Sequence, residues 1–259
     1  NQYRQSPEYQ KINYGMELAE FKVIFFWEYL HRMLGRLTGL VFAVPLLFFV
    51  VSGYVQRAES LKYFILFVLG GLQGLVGWWM VQSGLVDRPS VSHFRLATHL
   101  SLALILFAAL LWVAFDKYLS FDDTGQKSDF ASLKSKTNLL GLFIFVQIVY
   151  GAFVAGMDAG LAYNSWPLMD GSFMPSYAFE GGLVALTSDI TTVQFIHRWF
   201  AFIVLAYFMY YFISVRKDLN AGNIDGKTAI RLKKANNMML AVIIVQILLG
   251  IKTLVMGVP

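Results

Sequence analysis

Residues 25–40 read FFWEYLHRMLGRLTGL, and this apolar stretch carries Glu28, His31, Arg32 and Arg36 where lipid should tolerate none. The composition explains why four polar groups matter here. Hydrophobic residues are 57% of the chain and charged residues 14%, against roughly 25% charged in soluble domains. Apolar runs near the ~20 residues needed to cross a bilayer recur at about 27–53, 63–82, 96–115, 138–157, 193–214 and 237–256. Lipid offers no hydrogen bonds, so such segments satisfy their backbone as helices. Strands of a transmembrane barrel would be short and alternating, and these runs are neither. The fold class predicted is an all-α polytopic membrane protein.

Other classes are excluded quickly. Residues 1–21 are polar and show no signal-peptide pattern. Cysteine is absent, so disulfides and thiolate ligands are too. The net charge of +5 is small and sorted into loops, which does not describe a nucleic-acid binder. Arg57 and Lys62, then Lys117, Lys127, Lys134 and Lys136, then Arg216, Lys217, Lys227, Arg231, Lys233 and Lys234 follow the first, third and fifth spans. The opposite side holds Arg4, Lys11, Lys22, Arg88 and Arg95. The basic loops are therefore predicted to face the cytoplasm or the mitochondrial matrix. Asn1 then starts outside, and a further helix is expected before it.

The chain repeats itself. "EYLHRMLGR" (28–36) and "VQFIHRWFA" (193–201) both open a span with His-Arg, and Gln-x3-Gly recurs at Gln73–Gly77, Gln147–Gly151 and Gln246–Gly250. His31 to His197 is 166 positions and Gln73 to Gln246 is 173, equal within one loop insertion. Spans one and five correspond, as do two and six. The expected architecture is two pseudo-symmetric four-helix bundles, with six of the eight helices in this chain. The first repeat is expected over 1–125 and the second over 126–259. A counterpart of His99 is expected near residue 272.

His31, His99 and His197 lie at the outer ends of their spans. Intramembrane histidines face bundle interiors. Two imidazoles per bundle suit a haem, whose porphyrin supplies the other four iron ligands; zinc would want three or four protein ligands together. The plain alternative for each is an interhelical hydrogen bond. Gly35, Ala97 and Ser101 leave room for a flat ring. His93, in "DRPSVSHF", reads as a loop residue without a ligand role. Arg32 and Arg198 stand where haem propionates would point, with Arg36 and Arg95 as further candidates; snorkelling to lipid phosphate is their alternative.

One position separates the halves. Three residues before His31 is Glu28, and three before His197 is Gln194, on the same helix face as the histidine in each case. A carboxylate stabilises positive charge or moves a proton better than an amide does. The first half therefore reads as the chemical site, the second as a haem site for structure or electron transfer. A pairing of Glu28 with Arg32 is compatible with that. A di-haem electron-transfer subunit also explains the histidines without needing the Glu28/Gln194 contrast. A repeat-built transporter usually shows interrupted helices, and Pro45 is the one proline inside these spans.

"SPEYQKIN", "LAEFKVIFFWEYLHRMLGR", "LQGLVGWWMVQSGL", "VSHFRLATHL", "GAFVAGMDAGLAYNSWPLMDG" and "TTVQFIHRW" together resemble haem A synthase of the alphaproteobacterial and mitochondrial type, over nearly the whole chain. The resemblance implies an oxidoreductase that converts the C8 methyl of haem O to a formyl by successive hydroxylations, making haem A for cytochrome c oxidase. It implies catalytic roles for Glu28, His31 and His99 at the substrate haem. It implies His197 as an axial ligand of a haem b cofactor, with Arg32, Arg36, Arg95 and Arg198 as propionate partners. It also implies a bacterial cytoplasmic or mitochondrial inner membrane, contact with haem O synthase or oxidase assembly factors, and a homo-oligomer as one possible state. Asp158 and Asn164 in "DAGLAYNSWP" are expected to fold a loop rather than react.

Overall fold

The computed structural model describes residues 3–11, 13–86, 90–118, 131–221, 224 and 226–257, with backbone alone at Ala58 and at 84–86. Arg88, Lys127 and the expected repeat boundary at 125 lie outside the described residues. Two short segments, Tyr3–Gln5 (3-10) and α1 (Pro7–Lys11), precede α2 (Leu18–Val51), α3 (Arg57–Val86) and α4 (His93–Tyr118). Then come α5 (Ala131–Gly156), α6 (Ala185–Ser188), α7 (Ile190–Asn220) and α8 (Gly226–Val255). Among the described residues there is no strand, only an isolated bridge between Met169 and Ser172.

Six helices are long and apolar enough to span a membrane, in the places hydropathy predicts. All six begin before the predicted starts, because hydropathy marks only the lipid-embedded part, while α2, α5 and α8 stop one or two residues short of the predicted ends. The 34 residues of α2 rise roughly 50 Å, well beyond a hydrocarbon core of about 30 Å. Its start at Leu18 is set by chemistry rather than greasiness: Glu20 Oε2 accepts the Glu17 N–H at 3.0 Å, half of a capping box. The helices turn large apolar groups outward, with Leu47 66%, Leu75 65% and Trp112 76% exposed. Water would not tolerate so much apolar surface, whereas lipid requires it.

The chain divides into two compact units, Asn1–Ser120 and Phe121–Pro259. In the first, α3 packs against both α4 and α2. Glu59 fastens the basic end of α3 to α4, pairing with Lys117 and with Lys62 at 3.3 Å. No described residue of α2 is buried.

In the second unit, α5 and α7 form the main helix pair and α8 packs on α7. Leu140, Phe208, Tyr211 and Val215 make its buried core. The loop between α5 and α7 has its own structure. Asn164 Nδ2 donates to the carbonyls of Gly160 (2.9 Å) and Leu254 (3.1 Å), the folding role expected of it. Ser165 Oγ donates to Leu168 O at 2.8 Å and accepts from Asp170 N at 2.7 Å. Asp158 enters the loop with φ 52° and makes no side-chain cap bond; a short polar residue tolerates that left-handed geometry better than a branched one.

Candidate functional site

In the first unit, His99 sits on the second turn of α4 and faces α3. Gln73 Nε2 donates to the His99 carbonyl at 3.0 Å and lies 3.4 Å from His99 Nε2. One turn further along α3, a Cβ on Gly77 would lie 2.8 Å from His99 Cε1, closer than side chains tolerate. The imidazole therefore rests on bare backbone, which only glycine provides. His99 Nδ1 is buried, with no hydrogen-bond partner among the described residues. An unpaired buried nitrogen is costly, and a ligand is one way to satisfy it.

His31 is exposed on α2. One turn before it, Glu28 pairs with Arg32 at 3.2 Å, the two side chains 55% and 44% exposed. A Cβ at Gly35 would meet nothing within 4 Å. Glu28, His31 and His99 thus belong to the same compact unit. Arg36 only touches Met33 Sδ at 3.6 Å. Arg95 donates to Trp79 O at 2.8 Å and stacks on the Trp79 ring at 4.5 Å.

The second unit repeats the histidine support. Gln147 Nε2 donates to the His197 carbonyl at 2.9 Å and lies 3.2 Å from His197 Nδ1. A Cβ on Gly151 would lie 3.2 Å from His197 Cε1. Asp189 caps α7, its Oδ1 accepting from Thr192 N at 2.7 Å and Thr192 Oγ1 at 2.6 Å, which fixes the start of the helix that presents His197.

Arg198 is placed differently from its expected role. Its guanidinium is buried and donates to the carbonyls of Tyr163 (3.1 Å), Ser165 (2.9 Å) and Leu168 (3.1 Å), with Pro167 O at 3.4 Å. It faces the loop rather than an open propionate position. Gln194, also buried, donates to the same Tyr163 carbonyl at 2.9 Å. The residues flanking His197 thus hold the outer loop down. The sequence could not show this, because backbone carbonyls look alike in every loop. The roles of Gln73, Gly77, Gln147 and Gly151 were also missed; their one signal was the repeated spacing.

A haem's requirements can be compared with these residues. Among the described residues no group of three or more His, Cys, Asp or Glu side chains is placed to hold a bare metal ion. A porphyrin iron would need only axial imidazoles, and His99 Nδ1 is the ring nitrogen here without a hydrogen-bond partner among the described residues.

Six helices long and apolar enough to cross the bilayer define a multi-pass membrane protein, with His99 and His197 set at helix–helix contacts. The sequence profile of the cytochrome oxidase assembly protein family matches residues 1–259, and the chain belongs to that family. It is 42% identical over 259 residues to the heme A synthase of Nitrosospira multiformis, covering 99% of this chain and 70% of that protein. It is 49% identical over 226 residues to that of Parvibaculum lavamentivorans (85% of this chain, 63% of that protein). It is 40% identical over 259 residues to that of Sinorhizobium medicae (99% and 68%). No solved structure matches the chain.

Proposed function

We propose that this chain carries the haem A synthase activity named for its relatives, in a bacterial-type cytoplasmic membrane. Haem O is the substrate; its C8 methyl becomes a formyl through successive hydroxylations to a hydrated aldehyde that loses water. What supports the reading is that Glu28, His31 and His99 belong to one compact unit, with a buried His99 nitrogen left without a hydrogen-bond partner among the described residues.

In this reading His31 and His99 hold the substrate iron from its two faces. Glu28, on the His31 face of α2, turns its carboxylate to the substrate edge, where oxidation of a methyl conjugated to the porphyrin develops positive charge. In low dielectric that attraction is several times what water allows. Arg32, Arg36 and Arg95 are the cations available to substrate propionates. Arg198 is left out, because its donors already meet loop carbonyls. His197 would hold haem b in the second repeat, with the repeats read as 1–125 and 126–259. Haem b, when bound, would supply one-electron transfer.

The test is pigment extraction from membranes of cells that supply haem O and express the full-length protein. Wild type is expected to yield haem A. Glu28→Gln is expected to retain haem O and stall its oxidation. Normal haem A from that variant removes Glu28 from the chemistry. An extract with haem B alone from the wild type would make the protein a di-haem electron carrier instead.

A further inference from the structure

At the end of α7 predicted to face the cytoplasm, Arg216 bridges from α7 to α8. Its guanidinium stands 5.2 Å from the centre of the Phe212 ring, one turn back. Nη2 donates to Asn237 Oδ1 on α8 at 2.6 Å. Nε, on the same edge of the fork, is buried and has no hydrogen-bond partner among the described residues. That edge grips a carboxylate or phosphate with two parallel bonds, and here one neutral oxygen meets half of it. No described carboxylate pairs with Arg216. Asp218 is two residues on, which puts it on the far side of α7. Lys233 is exposed one turn before Asn237, on the same side of α8. Two turns toward the middle of the span, Met209 lies below Arg216 on α7 and Ile244 below Asn237 on α8. Both are exposed, so an apolar track continues from the cations into the bilayer.

Topology requires cations on this side of the membrane. It does not require a guanidinium seated on a ring, held by an amide and left without a described counter-ion. We propose that the inner end of the α7–α8 pair binds the phosphate of an anionic phospholipid. Arg216 is the fork that takes the phosphate, the Phe212 ring supports it, and Asn237 holds it from α8. Lys233 adds the second charge. The ligand chemistry is a phosphate oxyanion. Its source is a lipid headgroup, because the cations stand at headgroup depth and the track of Met209 and Ile244 suits an acyl chain. The site stands whether or not His99 and His197 bind haem.

The experiment uses the full-length protein in nanodiscs of phosphatidylcholine, with and without phosphatidylglycerol. Native mass spectrometry reads the lipid that stays bound, and a thermal melt reads folding. Wild type is expected to retain phosphatidylglycerol over phosphatidylcholine and to melt later in its presence. Arg216→Lys keeps the charge and removes the fork; it is expected to weaken that preference about tenfold. Lys233→Gln is expected to weaken it about fivefold. Arg231→Gln loses the same charge six residues before Asn237, turned away from Arg216, and is expected to stay near wild type. Equal losses at Arg216, Lys233 and Arg231 would mean diffuse attraction to a charged surface and overturn the site. A wild-type melt raised by inorganic phosphate in pure phosphatidylcholine, with no lipid preference, would give the fork to a soluble phosphate and overturn the lipid. Should Arg216→Lys unfold in pure phosphatidylcholine, Lys233→Gln against Arg231→Gln decides.

Discussion

Helices α2 and α7 carry one motif in two settings. Each presents a histidine followed by arginine, with a carboxylate or its amide three residues earlier. On α7 the amide of Gln194 and the guanidinium of Arg198 both donate to the Tyr163 carbonyl, and both side chains are buried. On α2 the carboxylate of Glu28 and the guanidinium of Arg32 turn to each other and stay half exposed. The atom that differs explains the divergence. An amide has an N–H to give a carbonyl, whereas a carboxylate has only lone pairs and is repelled by one. A glutamine at this position can therefore hold a loop carbonyl, as Gln194 does, whereas the Glu28 carboxylate pairs with a cation.

The contrast breaks most sharply at the ligands. His31→Ala or His99→Ala is expected to abolish haem A formation, read by chromatography of extracted pigments, while His197→Ala should empty only the haem b site. Retained turnover in either of the first two removes that residue from the substrate site. Next come the arginines. Arg198→Met leaves several loop carbonyls unpaired and is expected to cost on the order of 3 kcal/mol, with earlier thermal unfolding and new protease cleavage within 163–172. Arg32→Met should cost under about 1 kcal/mol, as for an exposed pair. Equal losses at the two sites would erase the distinction.

Gln194→Glu moves the first unit's chemistry into the second. The carboxylate is expected to draw Arg198 off the carbonyls, lowering stability by about 1–2 kcal/mol and loosening the same loop; an unchanged cleavage pattern would contradict this. The smallest difference lies between the glycines. Gly77→Ala should disturb its histidine more than Gly151→Ala does, because the added carbon meets Cε1 at 2.8 Å rather than 3.2 Å. A reversed order in haem-binding loss would show that ring depth is set elsewhere.

The membrane helices were legible because lipid enforces a long, simple pattern. Their ends were not, since the start of α2 depends on Glu17 and Glu20 and not on hydropathy. Helical spacing put Glu28 and His31 on one face of α2, but which helix that face meets is not written in the spacing. The carbonyl partners of Arg198 were not legible, because adjacency to a histidine says nothing of which way a guanidinium turns, and backbone atoms look alike in sequence. Gln-x3-Gly was visible as a repeat, but its meaning lies in the neighbouring helix. The third copy shows the limit of spacing alone: a Cβ on Gly250 would meet nothing within 4 Å.

The double anchoring of Tyr163 has one more consequence. Gln194 and Arg198 grip a single carbonyl from positions one turn apart, with His197 between them in sequence. Helix α7 therefore cannot roll about its long axis without tearing the loop away. On the proposed reading, a haem carried by such a helix gains or loses an electron with little nuclear rearrangement around it, which keeps the transfer fast.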